Sequence, residues 1–165
     1  VHLFFILKPR YYPRIAIRGV TDLDYYQGVV SEYLRANRQT FINPEFLLQI
    51  EPVSQSSIRG RYWYIDILAV NFAEQSIYLC EVTYSKGMRA LTKKLSEFAL
   101  NWNDIKRVVH RDSGVPESWS LGVWCFVREE NIQTLLQAKP LLLPHLQITP
   151  LEDTQPWKFC TWNRI

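Results

Sequence analysis

Tyr26, Val29, Val30, Tyr33 and Leu34 are spaced 3, 1, 3 and 1, which is one face of a helix. Thr21-Asp22-Leu23-Asp24 ahead of them supplies a hydroxyl cap and an acid three residues later. Asn43-Pro44 reads as the turn after that helix. A short apolar run at 46–50 ends at Pro52 and predicts a strand, followed by a polar loop over 55–60. Residues 61–70 are rich in aromatic and β-branched side chains and predict a second strand. A polar turn at 71–75 leads to a third strand over 76–84, so the second and third strands form an antiparallel hairpin. The period then changes. Leu91, Leu95, Phe98, Trp102, Ile105 and Val109 step by 4, 3, 4, 3 and 4, which predicts one long amphipathic helix ended by Ser113-Gly114-Val115-Pro116. Residues 121–127 are uncharged and predict a strand buried on both faces. A short helix over 130–138, stopped by Pro140, and an edge strand over 146–151 containing Pro150 complete the pattern. Residues 1–8 predict a short strand ahead of breaks at Pro9 and Pro13.

This order is that of an α/β protein, a hairpin-rich sheet flanked by helices. At 165 residues the chain is expected to be a single domain, with a core at about 22–127, an N-terminal arm at 1–20 and a C-terminal extension at 128–165. Its hydrophobic share of 47% and charged share of 21% exclude disordered and collagen-like compositions. The longest strictly apolar runs, such as 3–7 and 123–127, fall far short of the ~20 residues of a membrane span. The apolar start lacks a basic n-region and a small-residue cleavage site, so it is not read as a signal peptide. Cys80, Cys125 and Cys160 form no C-x-x-C, and His2, His110 and His145 lack zinc-ligand spacing. The cysteines are expected to be buried reduced thiols in a cytoplasmic protein. The net charge of +3 is too small to argue for nucleic acid by itself.

Two carboxylates stand out. Asp66 is the sole charge between Tyr62 and Val70, and Glu81 the sole charge between Ile77 and Tyr84. A carboxylate in an apolar strand is costly unless it is paired or holds a cation. Two on adjacent strands of one hairpin, facing the same way, make a site for a hard divalent ion. The competing expectation is that each is structural, at a strand end or salt-bridged to Arg59, Arg61 or Arg89.

Tyr64-Ile65-Asp66-Ile67-Leu68-Ala69, followed by Ile77-Tyr78-Leu79-Cys80-Glu81-Val82-Thr83-Tyr84, resembles the PD-(D/E)XK nuclease superfamily, in which an Asp on one strand precedes Glu-x-Lys on the next. The order of helix, three strands, helix and strand is similar too, and the likeness covers residues 22–127. It implies a restriction-endonuclease-like αβββαβ core with a mixed sheet, and Mg²⁺ (or Mn²⁺) dependent hydrolysis of phosphodiester bonds. It implies that Asp66, Glu81 and the carbonyl of Val82 hold the metal, with Glu32 of the first helix bound directly or through water. Thr83 stands where the family has lysine. Threonine brings a hydrogen bond and no charge. Lys86, just past the strand, and Lys94, at the border of the long helix's buried stripe, are the candidates to replace it; without such a lysine the rate is expected to suffer.

Arg35, Arg38, Arg59, Arg61, Arg89 and Lys93 flank the two carboxylates in sequence and suit phosphate contacts. The implied partner is nucleic acid, expected to be DNA. Many relatives in this superfamily are dimers, so a homodimer is a further expectation. Tyr62, Trp63 and Tyr64 are read as core or half-buried rather than as base-stacking groups, and Trp119, Trp124, Trp157 and Trp162 as packing. A divalent-metal-dependent DNase, weakened or inactive where the motif lysine is replaced by Thr83, is the first functional expectation. Its rival is a non-catalytic nucleic-acid-binding or protein-interaction module on the same fold.

Overall fold

The computed structural model describes residues 25–50, 61–138 and 146–159. The expectations for residues 1–8 and 21–24, Arg59, Cys160 and Trp162 lie outside them. The elements run α1 (Tyr25–Ala36), β1 (Thr40–Gln49), β2 (Tyr62–Asn71), β3 (Ser76–Thr83), α2 (Arg89–Leu100), α3 (Trp102–Ser113), β4 (Ser120–Val127), α4 (Ile132–Ala138), β5 (Leu146–Pro150) and α5 (Pro156–Phe159). The strands form one mixed sheet in chain order, β1 to β5. β1–β2 and β2–β3 are antiparallel; β3–β4 and β4–β5 are parallel. The protein is therefore α/β. Among the described residues no helix is long and apolar enough to cross a membrane.

Helices cover both faces of the sheet. On one face Leu91, Leu95 and Phe98 of α2 and Ile105, Val108 and Val109 of α3 pack on Ile77 and Leu79 of β3 and on Leu121, Val123, Cys125 and Val127 of β4. On the other, Val30 and Leu34 of α1 pack on Ile67, Ala69, Cys80 and Phe126. β4 feeds both cores, as its uncharged sequence requires. Trp124 packs with Tyr33, Tyr78 and Phe126, whereas Trp157 is exposed, contrary to its reading as packing. Cys80 and Cys125 are buried free thiols.

The long helix expected over 91–109 is two helices. At Asn101 the side-chain Nδ2 donates to the Glu97 carbonyl and Oδ1 accepts from Arg61, while the backbone N–H is shared between the Glu97 and Phe98 carbonyls. Asparagine competes in this way with regular helical bonding, and the axial break leaves the apolar stripe intact. Asn43-Pro44 is not the turn after α1. It lies inside β1, which starts at Thr40, because β1 is an edge strand whose outer side needs no donor from Pro44.

The β1–β2 ribbon exchanges its faces midway. Phe46 and Leu48 of β1 and Trp63 and Ile65 of β2 pack on the α2–α3 side, while Ile42, Ile67 and Ala69 pack on the α1 side. A regular strand would send residues of one parity to one face. The exchange falls between the paired positions Pro44↔Ile67 and Phe46↔Ile65, at Glu45 and Asp66. Glu45 has φ +54°, left-handed backbone that costs a non-glycine residue on the order of 1–2 kcal/mol.

Candidate functional site

Asp66 occupies that kink, and the β2–β3 pairing runs from Asn71↔Ser76 to Ile67↔Cys80 just before it. Beyond, the Val82 N–H donates to Asp66 Oδ2 at 2.7 Å. The aspartate therefore docks on the backbone of the residue after Glu81. Gln27 of α1 fixes the same point from the other side, its Nε2 donating to the Asp66 carbonyl at 2.8 Å.

Glu81 follows Ile77 and Leu79 on the α2–α3 face of β3 and is 5% exposed. Lys94 reaches it from α2: Nζ donates to Glu81 Oε2 at 2.6 Å and to the Tyr64 carbonyl at 2.6 Å. The second carboxylate oxygen, Oε1, is buried with no hydrogen-bond partner. Burial pushes the Glu81 acid up from 4.5 to about 8; the Lys94 ammonium pulls it down and the Asp66 charge adds to the rise. Cys125 lies beside Glu81 in the β3–β4 register, and burial first, then the Glu81 charge, drive its thiol far up, so it is inert as a thiolate.

One face of α2 grips the start of β2. Lys94 bonds the Tyr64 carbonyl, Glu97 Oε2 accepts from Trp63 Nε1 at 2.9 Å, and Asn101, just past the helix, accepts from Arg61. Their spacing of 3 and 4 places them along one side of the helix. Lys94 and Glu81 are held in register by this grip.

The structure thus brings Asp66, Glu81 and Lys94 together and leaves other expected residues apart. Glu32 lies on the solvent side of α1, ion-paired to Arg35 at 2.9 Å, whereas the buried residues of that helix are Gln27, Val30, Ser31 and Leu34. Thr83 ends β3, its Oγ1 accepting from the Ser85 N–H. Lys86 is exposed in the following loop, and Arg38, Arg61, Arg89 and Lys93 are exposed as well. Tyr62 and Tyr64 are 48% and 53% exposed, against the expectation of core or half-buried positions. The face exchange turns them to the side that the α2–α3 layer does not cover. Trp63, between them, is half-buried with its ring edge-on to Phe98. Gln27 is the residue that sequence reasoning passed over. The signal was a polar side chain at the head of the 27, 30, 31, 34 series.

Two carboxylates and an unpartnered buried oxygen suit a hard divalent cation, which takes oxygen ligands. Among the described residues no group of three or more His, Cys, Asp and Glu gathers at one point, so Asp66 and Glu81 are the carboxylates the site has to offer. Comparison with known proteins returns no matching family model and no matching curated protein.

Proposed function

We propose that this chain is a divalent-metal-dependent nuclease-like protein acting on DNA phosphodiester bonds, built on a restriction-endonuclease-like core. The observation that carries the reading is the Asp66–Glu81 pair at the end of the β2–β3 ladder with the Lys94 ammonium on Glu81. The order α1, β1–β3, α2, then β4 parallel to β3, supports it. Asp66, Glu81 and the Val82 carbonyl would hold Mg²⁺ or Mn²⁺. When bound, such an ion polarises a phosphate and lowers the pKa of its water.

The chain's own groups divide the remaining work. The Val82 N–H and the Gln27 amide hold Asp66 in place. Lys94 offers from α2 the positive charge that Thr83 lacks in the strand, near where negative charge would develop on phosphate. The exposed Arg61 just before β2, Lys86 in the loop after β3, and Arg89 and Lys93 on the first turns of α2 can meet the backbone of a nucleic acid.

A non-catalytic nucleic-acid-binding or interaction module is the second reading. Thr83 in the lysine position and Glu32 directed to solvent favour it. Cleavage of labelled duplex, single-stranded and branched DNA in Mg²⁺ and Mn²⁺ separates the two. The nuclease reading expects metal-dependent cleavage that Asp66→Ala and Glu81→Ala abolish and Lys94→Met slows by on the order of 10²–10³-fold. Wild type that cuts none of these substrates in either metal contradicts it.

A further inference from the structure

We infer that the uncovered tyrosine face of β2 is a stacking platform for unpaired nucleotides, so that the site takes single-stranded nucleic acid in preference to a continuous duplex. The inference rests on the nucleic-acid reading of the Asp66–Glu81 site and names the form of its substrate.

Tyr62 and Tyr64 precede Asp66 by four and two residues on one strand, so successive rings advance along β2 toward the carboxylate by roughly 6.5–7 Å per pair of residues. Their centroids are 6.0 Å apart and the rings meet edge to face. Leu47, opposite Tyr64 in the register, continues the apolar surface. A second aromatic group stands across Asp66 at the start of α1. Tyr26 stacks on Tyr84 with centroids 4.2 Å apart, Tyr25 sits edge-on to Tyr26, and the Arg128 guanidinium lies 4.7 Å over the Tyr84 ring. Gln27, next to Tyr26, is the residue that bonds Asp66. Five of the chain's nine tyrosines therefore flank one carboxylate, and all but Tyr26 are exposed.

Isolated exposed aromatics need no explanation. Rings in line on a strand that runs to the part-buried Asp66 do, and the chemistry that fits them is the π-face of a base. Sheet-surface aromatics hold single strands in this way. A continuous duplex keeps its bases stacked inside and presents only phosphate edges to such a surface. Arg128, over the Tyr84 ring, and the exposed Lys86, two residues past Tyr84, bring positive charge to this aromatic group for a strand's phosphates.

The test is binding by the full chain, with EDTA present so that cleavage is excluded, of fluorescent oligo(dT), oligo(U) and a blunt DNA duplex. Wild type is expected to bind the single strands at least about tenfold more tightly than the duplex, and the Tyr62→Ala/Tyr64→Ala double variant to lose roughly tenfold or more of that affinity. Tyr62→Phe/Tyr64→Phe, which keeps the rings, restores it. Phe72→Ala, at an exposed ring at the far end of β2, leaves it unchanged. If the double alanine variant does not fold, Tyr62→Leu/Tyr64→Leu keeps the apolar surface without the π-face and carries the same expectation. Duplex bound as tightly as single strand, or single-strand affinity that survives removal of both rings, overturns the platform. The nuclease reading fails separately: metal-dependent duplex cleavage with no effect of the tyrosines sinks the platform alone, and tyrosine-dependent strand binding without cleavage sinks catalysis alone.

Discussion

β2 has two halves that the molecule treats differently. From Ile67 to Asn71 it is covered on both faces, by α1 over Ile67 and Ala69 and by the α2–α3 layer over Leu68 and Val70, and it carries no charge. From Tyr62 to Ile65, among the described residues, only the α2–α3 side is covered, by way of Trp63 and Ile65, and Tyr62 and Tyr64 on the other side are exposed. Asp66 stands at the boundary, opposite the strained Glu45. The difference teaches where a charge can be placed in an apolar strand. A carboxylate inside the doubly covered half would be desolvated with no partner. At the boundary the neighbouring strand has drawn away far enough for its N–H to serve as one. The candidate chemistry sits where coverage changes, and so does the surface that would receive a substrate.

Several substitutions break or sharpen that contrast. The largest stability effect is expected in the covered half. Ile67→Ala should cost about 2–5 kcal/mol, read from denaturant midpoints, because its fully buried side chain leaves a cavity against α1. At the boundary, Lys94→Met removes the one ammonium bonded to Glu81. Its cost should be greater above about pH 8 than below, since below that value the glutamate can take up a proton instead.

The same residue sets a pH dependence in the metal-free wild type. Glu81 is lifted from 4.5 to about 8 by burial, so between those values the folded protein holds a proton that the unfolded chain has released. Stability from this group is therefore fully present below about pH 4.5, falls as pH rises through the window, and levels above about 8. Thermal midpoints across that range should show the decline in wild type and lose it in Glu81→Gln. The smallest effect belongs to the uncovered half. Tyr62→Ala should stay within about 0.5 kcal/mol of wild type, as surface changes usually do. A cost as large as that of Ile67→Ala would show that Tyr62 is covered after all.

Much of this architecture is legible from local pattern. The hairpin of β2 and β3, the doubly buried β4 and the edge strand β5 follow from runs of β-branched residues and the turns between them. Lys94 stands out because it borders an apolar helical stripe and carries a stem long enough to reach past it. The break at Asn101 is invisible to periodicity, because a kink that keeps the same face buried leaves the spacing unchanged. The exchange of faces at Asp66 is also hidden. Residues 62–70 are nearly all apolar or aromatic, so no alternation of polar and apolar positions shows which side each one takes. The exposure of Tyr62 and Tyr64 follows from that exchange and could not be read without it. Gln27 was hidden by its stronger neighbours, since Tyr26 and Val29 suggest a helix face turned slightly away from the one that packs.

The most direct test of the central claim is a calorimetric titration of Mn²⁺ into metal-free protein, wild type beside Asp66→Ala and Glu81→Ala. Binding of a divalent ion by the wild type that both substitutions abolish, with the fold retained, is the predicted result. An absence of binding in the wild type, or binding that persists undiminished in both variants, would show that these carboxylates serve the fold and not a metal.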